Sequence, residues 1–220
     1  YILVEKGYVM FKLNNVSKTI KKQEVLKELN YDFEKGTIYG LFGPNGSGKT
    51  MVLRVLSGLV IPTDGEVEID GKILHKDISF PPSVGIIIEN MELLPKLTAQ
   101  ENLQTLSKIK KVASEEDIVD TLKRVGLDTD KPVKKYSLGM RQRLNIAQAI
   151  FEKPDLILLD EPMNALDEDG VNLIYKVLKE EKERGACIIM ATHNKSDFSS
   201  ICDKILKVSE GRMEEIRNEE

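Results

Sequence analysis

The stretch Gly43-Pro44-Asn45-Gly46-Ser47-Gly48-Lys49-Thr50 decides how the rest of the chain is read. It has the form G-x-x-x-x-G-K-T. Its glycines let the backbone bend tightly, so that successive N–H groups can converge on phosphate oxygens. Lys49 adds a mobile positive charge able to reach β- and γ-phosphates, and the Thr50 hydroxyl is suited to Mg²⁺. A helix beginning here, through Met51, would point its positive dipole end at the same anion. Residues 37–42, Thr-Ile-Tyr-Gly-Leu-Phe, read as a buried strand feeding the loop. Beyond it, Val52, Val55, Leu56 and Leu59 recur at i, i+3, i+4 and i+7, one face of a helix. Strand before and helix after distinguish this stretch from a chance Gly-rich turn. The predicted nucleotide contacts are Gly43, Pro44, Asn45, Gly46, Ser47, Gly48, Lys49, Thr50 and Met51, with Ile20 added below.

Bulk properties narrow the setting. The 220 residues are enough for one large domain, or one domain with an inserted subdomain. Hydrophobic content of 41% with 31% charged residues suits a soluble globular chain. A net charge of -4 offers no electrostatic basis for binding nucleic acid. No apolar run approaches the ~18 residues that read as a transmembrane span, and no secretory signal is visible. Cys187 and Cys202 form neither a disulfide framework nor a metal-ligand spacing, so a reducing cytosolic setting is expected.

Residues 1–9 read either as an extension ahead of Met10 or as a strand of their own. Residues 11–16 read as the first ordinary strand. Residues 24–33 continue as sheet, with Leu26, Leu29, Tyr31 and Phe33 partly alternating. Glu34-Lys35-Gly36 and Pro62-Thr63-Asp64-Gly65 are turn signals. Residues 66–71 alternate polar and apolar and end in Asp-Gly, a half-exposed antiparallel strand. Residues 84–88, Val-Gly-Ile-Ile-Ile, are typical of a strand buried on both faces and end at Glu89. From Thr98 to about Ile150 the pattern turns helical. Thr98 with Glu101 and Ser114 with Asp117 form capping-box patterns.

Leu156-Ile157-Leu158-Leu159-Asp160-Glu161 is the second informative stretch. Four apolar residues make a central parallel strand, with two carboxylates at its C-terminal end, where ligands bind in open α/β sheets. Asp160 is placed to hold Mg²⁺ and Glu161 to polarise an attacking water. Residues 186–192 form another buried strand, which delivers His193 to the same end. Glu89 ends its own strand there too, and a carboxylate at that position can ligate Mg²⁺. The predicted metal set is Thr50, Asp160 and Glu89.

Tyr136-Ser137-Leu138-Gly139-Met140-Arg141-Gln142-Arg143 follows the phosphate loop and precedes Leu-Asp-Glu-Pro. In this order and spacing the chain resembles the nucleotide-binding domain of ATP-binding cassette (ABC) transporters, over residues 11–217. The resemblance implies an α/β fold: a P-loop NTPase core with a mainly parallel sheet, an antiparallel β subdomain and an inserted α-helical subdomain. Residues 10–88 and 151–220 would form the core and antiparallel subdomain, and residues 89–150 the helical subdomain. It implies ATP and Mg²⁺ as ligands, with Lys49, Glu161 and His193 as catalytic residues. It also implies a homodimer, or paired cassette, in which Ser137, Leu138, Gly139 and Gln142 of one copy complete the ATP site of the other. Leu166-Asp167 resemble the loop that contacts the opposite site. The expected partner is an integral membrane permease, which would hold the chain at the cytoplasmic face of the membrane.

Three positions depart from the family pattern. Ile20 stands where an aromatic residue often stacks on adenine, Glu89 where Gln is usual, and Asn164 where a small residue precedes Ala-Leu-Asp. Glu89, with Leu-Thr-Ala-Gln-Glu-Asn-Leu after it, resembles the subgroup of exporters acting on peptide antibiotics such as bacitracin and lantibiotics. An importer subunit, a soluble cassette acting on ribosomes or DNA, and a non-hydrolysing switch are the alternatives. Intact Asp160, Glu161 and His193 argue against the last.

Overall fold

A computed structural model of the chain describes residues 10–89, 93–193 and 200–216. Residues 1–9 and the segment 90–92 therefore lie outside the described residues. Two sheets form the frame. β1 (Met10–Ile20), β2 (Gln23–Glu34), β4 (Asp64–Ile69) and β5 (Lys72–Ile73) make an antiparallel sheet in the order β2-β1-β4-β5. β3 (Ile38–Phe42), β6 (Val84–Ile87), β7 (Leu156–Asp160), β8 (Cys187–Thr192), β9 (Lys204–Ser209) and β10 (Arg212–Ile216) make the second. Its order is β10-β9-β3-β8-β7-β6, parallel throughout except for β10. α1 (Lys49–Leu56) follows β3, and α5 (Glu168–Glu183) lies between β7 and β8. Between β6 and β7 the described residues form three α-helices, α2 (Ala99–Lys110), α3 (Glu115–Arg124) and α4 (Leu138–Ile150), with a short 3-10 turn at Val133–Lys135. The fold is the expected P-loop NTPase-like α/β core with a mixed sheet and helical insertions.

Strand alternation builds the core on both faces of the parallel sheet. Leu156 and Leu158 of β7, with Cys187, Ile189 and Ala191 of β8, face α1 and the antiparallel sheet. Ile157, Leu159, Ile188 and Met190 face α4, α5 and the packed parts of α2 and α3. All nine side chains are buried, and strands covered on both faces read as unbroken apolar runs for that reason. Burial also pushes the Cys187 thiol far above its ordinary range, which keeps it an inert core residue. Both capping boxes form as their spacing predicts.

Some boundaries differ from the sequence expectation. β1 runs to Ile20 rather than Val16, because register shifts after Leu13, with Asn15 at φ 52, carry the strand past a break in its alternation. Asp64 and Gly65 open β4 instead of forming a turn. α1 stops at Leu56, so Leu59 lies beyond the helix and is 54% exposed rather than part of its buried face.

Candidate functional site

The C-terminal ends of β3, β7 and β8 meet at one edge of the parallel sheet, and the phosphate-loop residues begin there. Gly48, at φ 114, is the residue from which α1 springs, and Val52 N donates to its carbonyl at 3.0 Å. The other four described α-helices open with a side-chain cap from Thr98, Ser114, Ser137 or Asp167. α1 has no such cap and no acidic residue in its first turn. Its leading N–H groups therefore keep their capacity for an anion. Lys49 is 6% exposed, and its Nζ donates to the Gly43 carbonyl at 2.6 Å and the Pro44 carbonyl at 3.0 Å. Burial lowers the Lys49 pKa, while Glu161 and Asp160 nearby oppose that shift. A cavity of about 330 Å³ opens over Asn45, Gly46, Gly48, Thr50, Met51, Asp160 and Glu161.

Two pairs of predicted residues converge here from distant parts of the chain. Thr50 Oγ1 donates to Asp160 Oδ2 at 2.6 Å. A hydroxyl and a carboxylate side by side are hard oxygen donors of the kind Mg²⁺ takes. Among the described residues, no group of three or more His, Cys, Asp or Glu forms a metal cage. Burial raises the Asp160 pKa, the Thr50 hydrogen bond and Lys49 offset this, and Glu161 and Glu89 add to it. The second pair is His193 and Glu161, with Nδ1 donating to Oε1 at 2.8 Å. Glu161 sits at φ 49, a left-handed conformation uncommon outside glycine that turns the chain out of β7. Its N–H still donates to the Ala191 carbonyl at 2.8 Å, so the turn is anchored to β8.

Glu89 reaches this edge differently from the sequence expectation. Its carboxylate, largely exposed, is paired with the Arg54 guanidinium from the last turn of α1. It still lies near enough to raise the Asp160 pKa. Arg54 was not singled out from sequence, although its position four residues after Thr50 puts both on one helix face.

Ser137, Leu138 and Gly139 do not line the phosphate-loop cavity of their own chain. Ser137 accepts from Met140 N at 3.2 Å as the cap of α4, and Leu138 is 71% exposed. A Cβ at Gly139 would lie 3.0 Å from the Ala165 carbonyl, so α4 packs closely on the segment after Glu161. Gln142 does not line the phosphate-loop cavity either. Its Nε2 donates to the Pro162 carbonyl of the same chain at 2.9 Å. Four residues on from Leu138, it shares that residue's helix face, and the two line one cavity with Asn164 and Ala165. Leu166 is partly buried against the core, and Asp167 caps α5 by accepting from Gly170 N at 2.9 Å. Ile20 is 39% exposed at the β1–β2 turn and does not line the cavity, whereas Val25 of β2 does. Sequence alternation marked β2 as sheet but gave no sign that Val25 would face the loop.

A glycine-rich loop leading from a parallel strand into an uncapped helix, beside a Thr–Asp pair, defines a P-loop nucleotide-binding protein. The ABC transporter family matches residues 26–164. The chain belongs to that family. It is 60% identical over 207 residues to YybJ of Bacillus subtilis (strain 168), described as an uncharacterized ABC transporter ATP-binding protein, covering 93% of this chain and 95% of that one. It is 36% identical to the lantibiotic transport ATP-binding protein SrtF of Streptococcus pyogenes, covering 93% and 89%. The dimeric structure of MJ0796, a bacterial ABC transporter cassette, matches the fold with a TM-score of 0.83 at 29% identity, covering 95% of this chain and all of that one. Membership of this family implies ATP hydrolysis in general, with ATP and Mg²⁺ as expected ligands. Dimerisation and coupling to a membrane permease are typical of its ATPase subunits.

Proposed function

We propose that this chain is the ATP-hydrolysing subunit of an exporter, that it dimerises around two ATP molecules, and that its substrates are peptide antibiotics of the lantibiotic or bacitracin kind. The observation that carries the enzymatic part is the convergence of Thr50, Asp160, Lys49 and the Glu161–His193 pair on one uncapped helix start. The loop N–H groups and Lys49 bind the phosphates, and Thr50 and Asp160 hold Mg²⁺, which neutralises phosphate charge when bound. Glu161 accepts a proton from water as its oxygen attacks the γ-phosphorus, and the bond to the β-phosphate oxygen breaks with its electrons leaving on ADP. His193, bonded to Glu161 through Nδ1, orients that carboxylate, and by its family resemblance is the residue assigned to the γ-phosphate. Ser137, Leu138 and Gly139 serve the partner's site, in keeping with their distance from their own loop cavity. Gln142 serves it with them, and its bond to the Pro162 carbonyl braces the start of α4.

The 36% identity to a lantibiotic transport protein and the Glu89 departure support the exporter reading. No helix among the described residues is long and apolar enough to cross a membrane. A separate permease would hold the chain at the cytoplasmic face. It would dock near residues 89–95, where Leu94 is 46% exposed while Leu93 packs on the core. Tagged protein extracted from native membranes in detergent should bring down a polytopic membrane protein together with ATPase activity. Recovery with ribosomes, or with no membrane partner, would contradict the transport reading.

Glu89 acts in this scheme as a metal-linked group. Arg54 partly neutralises it, so its effect on bound nucleotide is modest. Glu89→Gln should strengthen Mg²⁺-free ATP binding by about threefold to fivefold, corresponding to about 1 kcal/mol, and flatten the dependence on the metal. Equal metal dependence in the two proteins, measured by titration with and without Mg²⁺, would remove Glu89 from the metal's surroundings.

A further inference from the structure

The turn joining β9 to β10 touches the phosphate loop from below, and none of its residues belongs to the site described above. Gly211 N donates to the Ser47 carbonyl at 3.0 Å, and Lys27 N donates to the Gly211 carbonyl at 2.8 Å. One residue of the turn thus ties the loop to β2. The contacts leave no room for a side chain. A Cβ at Gly211 would lie 2.7 Å from the Val25 carbonyl oxygen and 3.3 Å from Leu26 Cα. A Cβ at Gly48 would lie 3.1 Å from the same Val25 oxygen, and one at Gly43 would lie 2.0 Å from the Val208 carbonyl oxygen. The inner side of the loop therefore rests on bare backbone of β2 and the β9–β10 hairpin. β9 also pairs in parallel with β3, the strand that delivers the loop, so one sheet carries both the loop and its support.

We propose that the Glu210-Gly211 turn is a positioning element for the phosphate loop. It fixes the Ser47 peptide and the Val25 wall of the cavity, so that the loop N–H groups converge before nucleotide arrives. Donors already in place cost no ordering when the anion binds. The proposal rests on reading residues 43–50 as the nucleotide site.

The fold supplies a matched control. Gly71 and Gly211 each stand second in a two-residue hairpin turn, at φ 74 and φ 80, after residues at φ 52 and φ 49. Nothing lies within 4 Å of a Cβ built at Gly71. Alanine at either site carries the same left-handed strain, but only at Gly211 does the methyl push β2 against the loop. The experiment measures the thermal midpoint and the affinity for a fluorescent ADP analogue in Gly211→Ala, Gly71→Ala and Lys49→Ala. Gly211→Ala should weaken binding by about tenfold or more, which is about 1.4 kcal/mol, while Gly71→Ala should stay within about twofold of wild type. Binding by Gly211→Ala that matches Gly71→Ala overturns the turn's role. If Lys49→Ala also binds like wild type, the loop reading falls and takes the proposal with it. Should Gly211→Ala fail to fold, amide exchange in the wild-type protein decides. Added ADP analogue should slow exchange at Gly211 and leave Gly71 unchanged, and no change at Gly211 refutes the proposal.

Discussion

Replacing Glu161 by Gln is expected to leave ATP binding intact and to lower hydrolysis by at least about a hundredfold, the lower part of the range for loss of a general base. The amide keeps the shape of the carboxylate and can still bond to His193, but it cannot take a proton from water. Two further features make the effect large. Glu161 is held at φ 49 with its N–H bonded to Ala191, so the backbone that places its side chain is unchanged by the substitution. Asp160, the only other carboxylate on this strand end, is engaged with Thr50. With product formation blocked, an ATP-bound dimer should accumulate, read by gel filtration with and without ATP. Unchanged turnover, or a monomer at saturating ATP, would contradict the role given to Glu161.

Lys49→Ala should weaken nucleotide binding by about 10- to 100-fold, since hydrogen bonds to charged groups contribute about 1.5–3 kcal/mol. The lysine does more than donate. It offsets the charges of Asp160 and Glu161, both of which act on it in the folded protein. Without it the two carboxylates would face the phosphates uncompensated, and the loss should be larger for ATP than for ADP. The Gly43 and Pro44 carbonyls would also lose their partner, and a modest fall in the thermal midpoint is expected with it. Equal loss for the two nucleotides would mean that Lys49 does not reach the γ-phosphate.

The site was legible in sequence wherever chemistry needs neighbouring residues. A phosphate cradle requires successive N–H groups, so residues 43–50 had to be contiguous and could be read directly. Asp160 and Glu161 were legible because a fully apolar strand ended in two carboxylates. Contacts between remote segments were not legible. Thr50 and Asp160, 110 residues apart, were joined only through the metal both were expected to hold, and nothing local says that Gly211 will support Ser47. Arg54 was hidden for the same reason, as its partner lies on the end of another strand. The bond from Gln142 to the Pro162 carbonyl was hidden in the same way. In the fold, the strands were clear where both faces are buried and blurred where β1 carries irregularities. Positive φ at Asn15 and shifted register there break the two-residue period on which strand reading depends.

In the proposed dimer, each ATP site is built from the phosphate loop of one copy and the α4 start of another. Mixing two inactive proteins tests it most directly. In a Glu161→Gln background, Lys49→Ala removes the loop lysine but keeps Ser137, while Ser137→Arg blocks the start of α4 but keeps Lys49. Neither protein alone should trap ATP in a dimer. The mixture should trap it, because one of the two sites in a mixed dimer has both parts intact. No trapping in the mixture, or full trapping by Ser137→Arg alone, would contradict the account.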